Sequence, residues 1–355
     1  MPQASGSRRL SPKNILLQLL KLGLAAAVVV YLVERGDIAW EPLRASLAEW
    51  RYSVPAFLIL AVTPMGQAWR WQLLLRAGGV RVSNREVFTC LMVSRFFNMA
   101  FPGYVSGDIL RGVYIVRRAA AESGSQSAAA TDATRYSATQ TVVASITFDR
   151  AAGLFPLFVF SLLGLMGIYW YPLPASLVLW VAAVAGGGVL SMAGLFVYAH
   201  WRSQPPSILL RLSRLLRAEE HLRYLHEISN RYARDVKLMM NILGLSFLTQ
   251  AGAVLGFVLF GQALKVHLPL MAYLIVVPLG TMFLAIPIAP AGLGVGQVAF
   301  LSLFHMIGSV QGANLFTLFM VSSILVNCIG GVLYLGSGMP SPLSPQTDAA
   351  PPSKT

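Results

Sequence analysis

Charge is what this chain has least of. Asp, Glu, Lys and Arg make up 12% of 355 residues, about half of the roughly 25% found in soluble domains. Hydrophobic residues reach 56%, so an ordinary soluble fold is excluded and a polytopic membrane protein is implied. Cysteine is scarce too. Cys90 and Cys328 are two isolated thiols in apolar segments, which excludes a disulfide framework and a Cys-based metal site. The five His, at positions 200, 221, 226, 267 and 305, never pair at metal-ligand spacing on one helix face. No metal and no cofactor are expected. The loops lack a paired-carboxylate metal motif and a nucleotide-sugar domain, which speaks against a membrane glycosyltransferase.

What is present is a set of long apolar runs. Six are long enough to cross about 30 Å of hydrocarbon: Ile15 to Val33, Val54 to Leu75, Ala138 to Ile168, Pro174 to Ala199, Met239 to Gly261 and Leu315 to Leu335. Lys21 interrupts the first run and no convincing cleavage site follows it, so it is expected to be a retained helix rather than a signal peptide. Two further apolar regions, 87–116 and 268–307, are punctured near their middles by Pro and Gly. The first contains RFFNMAFPGYVSGDILR from Arg95 to Arg111, the second PIAPAGLGVGQ from Pro287 to Gln297. Interrupted helices fit re-entrant hairpins better than straight spans. The expected fold is therefore all-α, with six spanning helices and two broken-helix hairpins among eight hydrophobic regions.

Basic residues in short loops stay on the cytoplasmic side, and here their distribution is lopsided. Arg8, Arg9 and Lys13 precede the first run, Arg76, Arg81 and Arg85 follow the second, Arg117, Arg118 and Arg135 follow the first hairpin, and the loop Trp201 to Lys237 holds eight. The loop Glu34 to Arg51 mixes three Arg with four acids, YWYPLP at 169–174 has no charge, and Lys265 is alone in the last external loop. This places both termini inside. It also orders each half as span, span, hairpin, span with opposite starting sides, an inverted repeat. The expected organisation is a cytoplasmic tail at 1–14, a first repeat at 15–168 with a cytoplasmic hairpin, a second at 169–336 with an external hairpin, and a disordered tail at 337–355. Broken helices at matching places in inverted halves are where transporters keep their sites.

Residues 119–140 are low in complexity and are expected to form a mobile cytoplasmic loop. In the large basic loop, Ile208, Leu212, Leu215, Leu222 and Leu225 fit one helix face with Arg211, Arg214 and Arg217 on the other. Such a helix would lie on the anionic cytoplasmic leaflet; an ordinary positive-inside anchor explains it as well. No nucleic-acid partner is expected.

Charge at membrane depth costs about 2.5–3.5 kcal/mol per group on insertion scales. The costly residues here are Arg70, Arg95, Asp108, Arg111, Asp149 and Arg150. Arg95 and Asn98 share a helix face, as do Asp108 and Arg111. After Pro102, the return arm begins with Gly103, Ser106 and Gly107, so its free N–H groups and positive dipole end would face the hairpin tip. Guanidinium groups bind phosphate bidentately, so a phosphate or other anionic headgroup fits this tip. A second reading stands beside it: Arg95 with Asp108, and Asp149 with Arg111 or Arg150, as neutralising pairs that pin helices together. Arg70, between Trp69 and Trp71, reads as a snorkelling anchor. The second hairpin offers Pro290, Gly292, Gly294 and Gln297, for backbone coordination or for tight packing.

These blocks carry a resemblance. Arg95-x-x-Asn98, Pro102-Gly103 and Gly107-Asp108-x-x-Arg111, then Asp149-Arg150-x-x-Gly153-Leu154, then Pro290-x-Gly292-Leu293-Gly294-Val295 occur in the order seen in flippase-like membrane proteins related to the lysylphosphatidylglycerol synthase transmembrane region. The resemblance runs from about Ile15 to Leu335. It implies a bacterial inner-membrane protein whose relatives move an aminoacylated phospholipid between leaflets, and which occur beside hopanoid and glycan-lipid pathways. The chain departs from the pattern at Gln297, where relatives carry an acidic residue. Relatives that synthesise lysylphosphatidylglycerol have a large soluble acyltransferase-like domain after the membrane part; only a short tail follows Leu335 here, so no enzyme activity is expected. The reading is a lipid flippase or lipid-binding transporter for an anionic or polyprenyl-type lipid. The alternatives are an accessory protein or scaffold for lipid-biosynthesis enzymes and, behind it, the glycosyltransferase.

Overall fold

The computed structural model describes residues 40–100, 105–124, 132–169, 173–202, 204–215, 219–284 and 295–337. Twelve α-helices and no strand occur among them. They are α1 Trp40–Ala48, α2 Trp50–Ala77, α3 Asn84–Ala100, α4 Val105–Gly124, α5 Asp132–Leu165, α6 Ala175–Trp201, α7 Ser207–Leu215, α8 Glu219–Arg234, α9 Val236–Ala263, α10 Leu270–Leu284, α11 Val295–Met306 and α12 Gly312–Ser337.

Four helices are long and apolar enough to cross a membrane, within α5, α6, α9 and α12, and each overlaps an expected span. This is a multi-pass membrane protein. The expected span Val54 to Leu75 lies inside α2, which is 28 residues long but carries Gln67, Arg70 and Gln72 in its second half. The first expected span, and the tails at 1–14 and 338–355, lie outside the described residues. The first punctured region holds α3 and α4 and the second α10 and α11; the stretches between them, 101–104 and 285–294, where the hairpin tips are expected, lie outside the described residues.

Two expectations need correction. Of the segment 119–140, expected to be a loop, the described residues 119–124 and 132–140 are helical, the end of α4 and the start of α5, as their alanines, the best helix formers, favour; 125–131 lie outside the described residues. The described residues of the large basic loop include α7 and α8, with 216–218 between them outside the description, and the leaflet does not cover all of the expected apolar face. Leu225 and Tyr224 of α8 pack with the buried Ile228 and Tyr232 against Leu74, Ala144 and Ile242, and Tyr232 Oη donates to the Leu74 carbonyl at 2.9 Å. The apolar face of α8 is therefore covered by the protein. At its start Glu219 accepts from Arg214 Nε at 2.9 Å and Arg223 Nη2 at 2.8 Å. These bonds hold its carboxyl below the usual range.

The most extensive packing joins the two halves, α2 against α9, α5 against α10 and α3 against α12. Helices α2 and α9 run antiparallel and close. Arg70 meets Ser246, Gly66 meets Thr249, Gly252 meets Ile59 and Thr63, and Gly256 meets Leu60. Small residues at these crossings let the backbones approach. A continuous apolar core fills the side of α9 to α12, with Phe257 stacked on Phe300 at 5.0 Å and on Phe319 at 4.8 Å.

Candidate functional site

Beside that core lies a cavity of about 630 Å³ walled by α2, α3, α4, α5, α9, α10 and α12, within the size range of sites for drug-sized ligands. Arg70, Arg95, Asn98, Asp108, Arg111, Asp149 and Arg150 all line it. The chain thus brings together in space charges that stand up to 80 positions apart, from Arg70 to Arg150.

At the centre is Asp149, on α5 and 4% exposed. Arg70 Nε lies 2.7 Å from its Oδ1 and Arg111 Nη1 3.4 Å from its Oδ2, so one carboxylate serves two guanidinium groups. Arg70 is no snorkelling anchor: it is 6% exposed and its Nη1 also donates to Ser246 at 2.9 Å. An acidic partner from another helix turned it inward, which its tryptophan neighbours alone did not reveal. Gly153, one turn beyond Asp149, leaves room for the Arg70 guanidinium 3.3 Å from where a Cβ would sit.

Arg111, 1% exposed, is the deepest charge. Its guanidinium lies over Trp71, 4.6 Å from the ring centroid, a favourable cation–π contact in a desolvated place. Its Nε is 3.0 Å from Asp108, while Nη2 has no hydrogen-bond partner. Asp108 also receives both Nε and Nη2 of Arg150 at 2.8 Å, a bidentate pair linking α4 to α5. The expected pairings were therefore partly wrong. Asp108 pairs with Arg111 and Arg150 rather than Arg95, because α4 leans on α5 while Arg95 faces α2 and α12. Arg95 donates to Asn327 at 3.0 Å and to Gln67 at 2.9 Å.

Asn98 and Gly107 have a structural task. The Gly107 N–H, in the first turn of α4, donates to Asn98 Oδ1 at 2.8 Å, which satisfies one of the orphan donors of a helix start. A Cβ on Gly107 would collide with the Ser94 carbonyl oxygen, so only glycine allows α3 and α4 to cross here. Pro102, Gly103, Pro290, Gly292 and Gly294 lie outside the described residues, and Gln297 is not in the cavity lining.

The sequence reading missed half the wall. Thr63 and Gln67 on α2, Thr249 and Gln250 on α9, Thr281 on α10, and Ser323 and Asn327 on α12 add neutral polar groups. The signal was there: Thr63, Gln67 and Arg70 recur at helical spacing on one face, and Asn327 is a lone amide in an apolar span. Among the described residues four Arg and two Asp line the cavity, a formal excess of two positive charges. Among the described residues no cluster of His, Cys, Asp or Glu fits a metal ion.

Compared with family models, residues 18–330 match the lysylphosphatidylglycerol synthase TM region. The chain belongs to this family. Comparison with curated proteins and with solved structures finds no match. Membership connects the cavity to a family of lipid-related membrane proteins, and every named residue of the cavity lies inside the matched range.

Proposed function

We propose that the protein is a lipid flippase or lipid-binding transporter whose cavity takes an anionic headgroup. One observation carries this reading: a single cavity is charged at one end and apolar at the other. Along α2 the lining goes from Arg70 through Gln67 and Thr63 to Leu60. Along α5 it goes from Asp149 and Arg150 through Gly153 and Leu154 to Leu157, and along α12 from Asn327 through Ser323 to Met320, Phe319 and Phe316. An amphiphile would match that gradient, and the positive excess favours phosphate over an amine. Arg111 Nη2, buried and lacking an acceptor, is a donor such a phosphate would use.

In this reading the two helix pairs α3–α4 and α10–α11 are hairpins entering from opposite faces of a bacterial inner membrane, within an inverted repeat whose termini are cytoplasmic. The protein moves or holds lipid without covalent chemistry. The test is reconstitution in vesicles carrying headgroup-labelled phosphatidylglycerol, with leaflet exchange read by quenching. Wild type should accelerate exchange and Arg95→Gln should lose most of it; equal rates in protein-free vesicles would contradict the reading. An accessory role for lipid-biosynthesis enzymes draws on the exposed Arg211 and Arg214 of α7, which would dock an anionic leaflet or partner; Arg217 lies outside the described residues.

A further inference from the structure

The gradient has a middle step. Helices α2 and α9 are in antiparallel register, so Ser246 is level with Arg70, Thr249 with Gly66, and Gly252 with Thr63. Gln250, one turn beyond Ser246, therefore sits between the charged end and the level of Leu60 and Gly256. Phe257, next to Gly256, stacks on Phe319, which places the aromatic end of α12 at that same apolar level. Ser323, one turn from the Arg95 partner Asn327, falls in between. The cavity is layered: guanidinium and carboxylate, then hydroxyl and amide, then hydrocarbon.

The middle layer contains a donor without an acceptor. Gln250 Nε2 is buried and makes no hydrogen bond, although its residue lines the cavity. A buried amide N–H left unpaired is costly, and native sites keep such groups where a ligand oxygen completes them.

The order of the layers selects between two chemical classes left open by an anionic headgroup. In a polyprenyl phosphate the phosphate is followed directly by hydrocarbon, which would set apolar carbon against Thr249, Gln250 and Ser323. In a diacyl phospholipid the phosphate is followed by a glycerol unit with two ester carbonyls, then by the chains. That sequence of chemistry repeats the sequence of layers. We infer that Gln250 is a specificity-determining residue that donates to an acyl-ester carbonyl, so that the cavity selects diacyl phospholipids over polyprenyl phosphates and ether lipids. The inference rests on the headgroup reading above.

Binding of three probes to the full-length protein in mixed micelles tests it: dioleoyl phosphatidylglycerol, its dialkyl-ether counterpart, and a polyprenyl phosphate. The diester should bind about tenfold tighter than the ether lipid, the worth of one good hydrogen bond. Gln250→Leu should erase that preference. Gln250→Glu, equal in shape but an acceptor, should weaken the diester further and serves if the leucine variant folds poorly. Equal binding of diester and ether by wild type, or tightest binding of the polyprenyl phosphate, would overturn the role of Gln250. If either result came with binding that still fell in Arg95→Gln, the headgroup reading would survive. Binding of all three probes indifferent to Arg95→Gln would sink both.

Discussion

The helix pairs α3–α4 and α10–α11 are built from opposite materials. Helices α3 and α4 bring Arg95, Asn98, Asp108 and Arg111 to the cavity, whereas α10 and α11 bring only Thr281 and Leu284 among their described residues. The rest of the second pair packs: Gly280 lies against the Phe300 ring and Gly296 against Phe316, inside the apolar core. What distinguishes the first pair is charge, held within α4 between Asp108 and Arg111 and by partners from α2, α5 and α12. One pair holds a polar network, the other closes a core around it.

That contrast can be broken experimentally. The largest effect belongs to Asp149→Asn, which leaves Arg70 and Arg111 buried without their shared carboxylate; breaking a buried ion pair costs about 3–5 kcal/mol. A fall in unfolding temperature well beyond that of Asp108→Asn is expected, since Asp108 is more exposed and Arg111 keeps Asp149. Next comes Gly280→Ala, a purely apolar insult to the second pair. Overpacking against Phe300 should cost about 1–3 kcal/mol while the lipid bound per folded molecule stays at the wild-type level. Arg95→Gln should show the reverse, with stability changed by less than about 1 kcal/mol and lipid retention largely lost. The smallest effect is expected for Arg211→Ala with Arg214→Ala on exposed α7. Stability should stay within about 0.5 kcal/mol and lipid exchange should be unchanged; loss of exchange with this double variant would favour the accessory role instead.

Much of this architecture was legible in the sequence because hydrophobic length and Pro-Gly punctuation are local signals. The long apolar helices follow from them. The charged cluster was legible as a set, since each buried charge is conspicuous in an apolar chain, but its pairing was not. Asp149 chooses Arg70 across 79 positions, a choice made by how α2 and α5 pack and invisible to spacing along one helix. The neutral layer of Thr249, Gln250 and Ser323 was overlooked for a related reason: single hydroxyls and amides are tolerated in any span, and they gain meaning only when several helices turn them toward one space. The basic loop teaches a different point. Its amphipathic pattern was real, but amphipathicity does not say whether membrane or protein covers the apolar face, and for α8 it is protein.

The most direct test of the account is mass spectrometry of lipids that copurify with the protein when it is gently extracted from its native membrane, comparing wild type with Arg95→Gln and Arg111→Ala. Arg95 has the neutral partners Gln67 and Asn327, so its variant keeps the Asp149 network intact and guards against a folding defect in the other. Enrichment of one anionic lipid class in the wild type, lost in both variants, is the predicted result. Lipid in bulk membrane proportions for all three proteins would contradict it and leave the charges as a structural clamp.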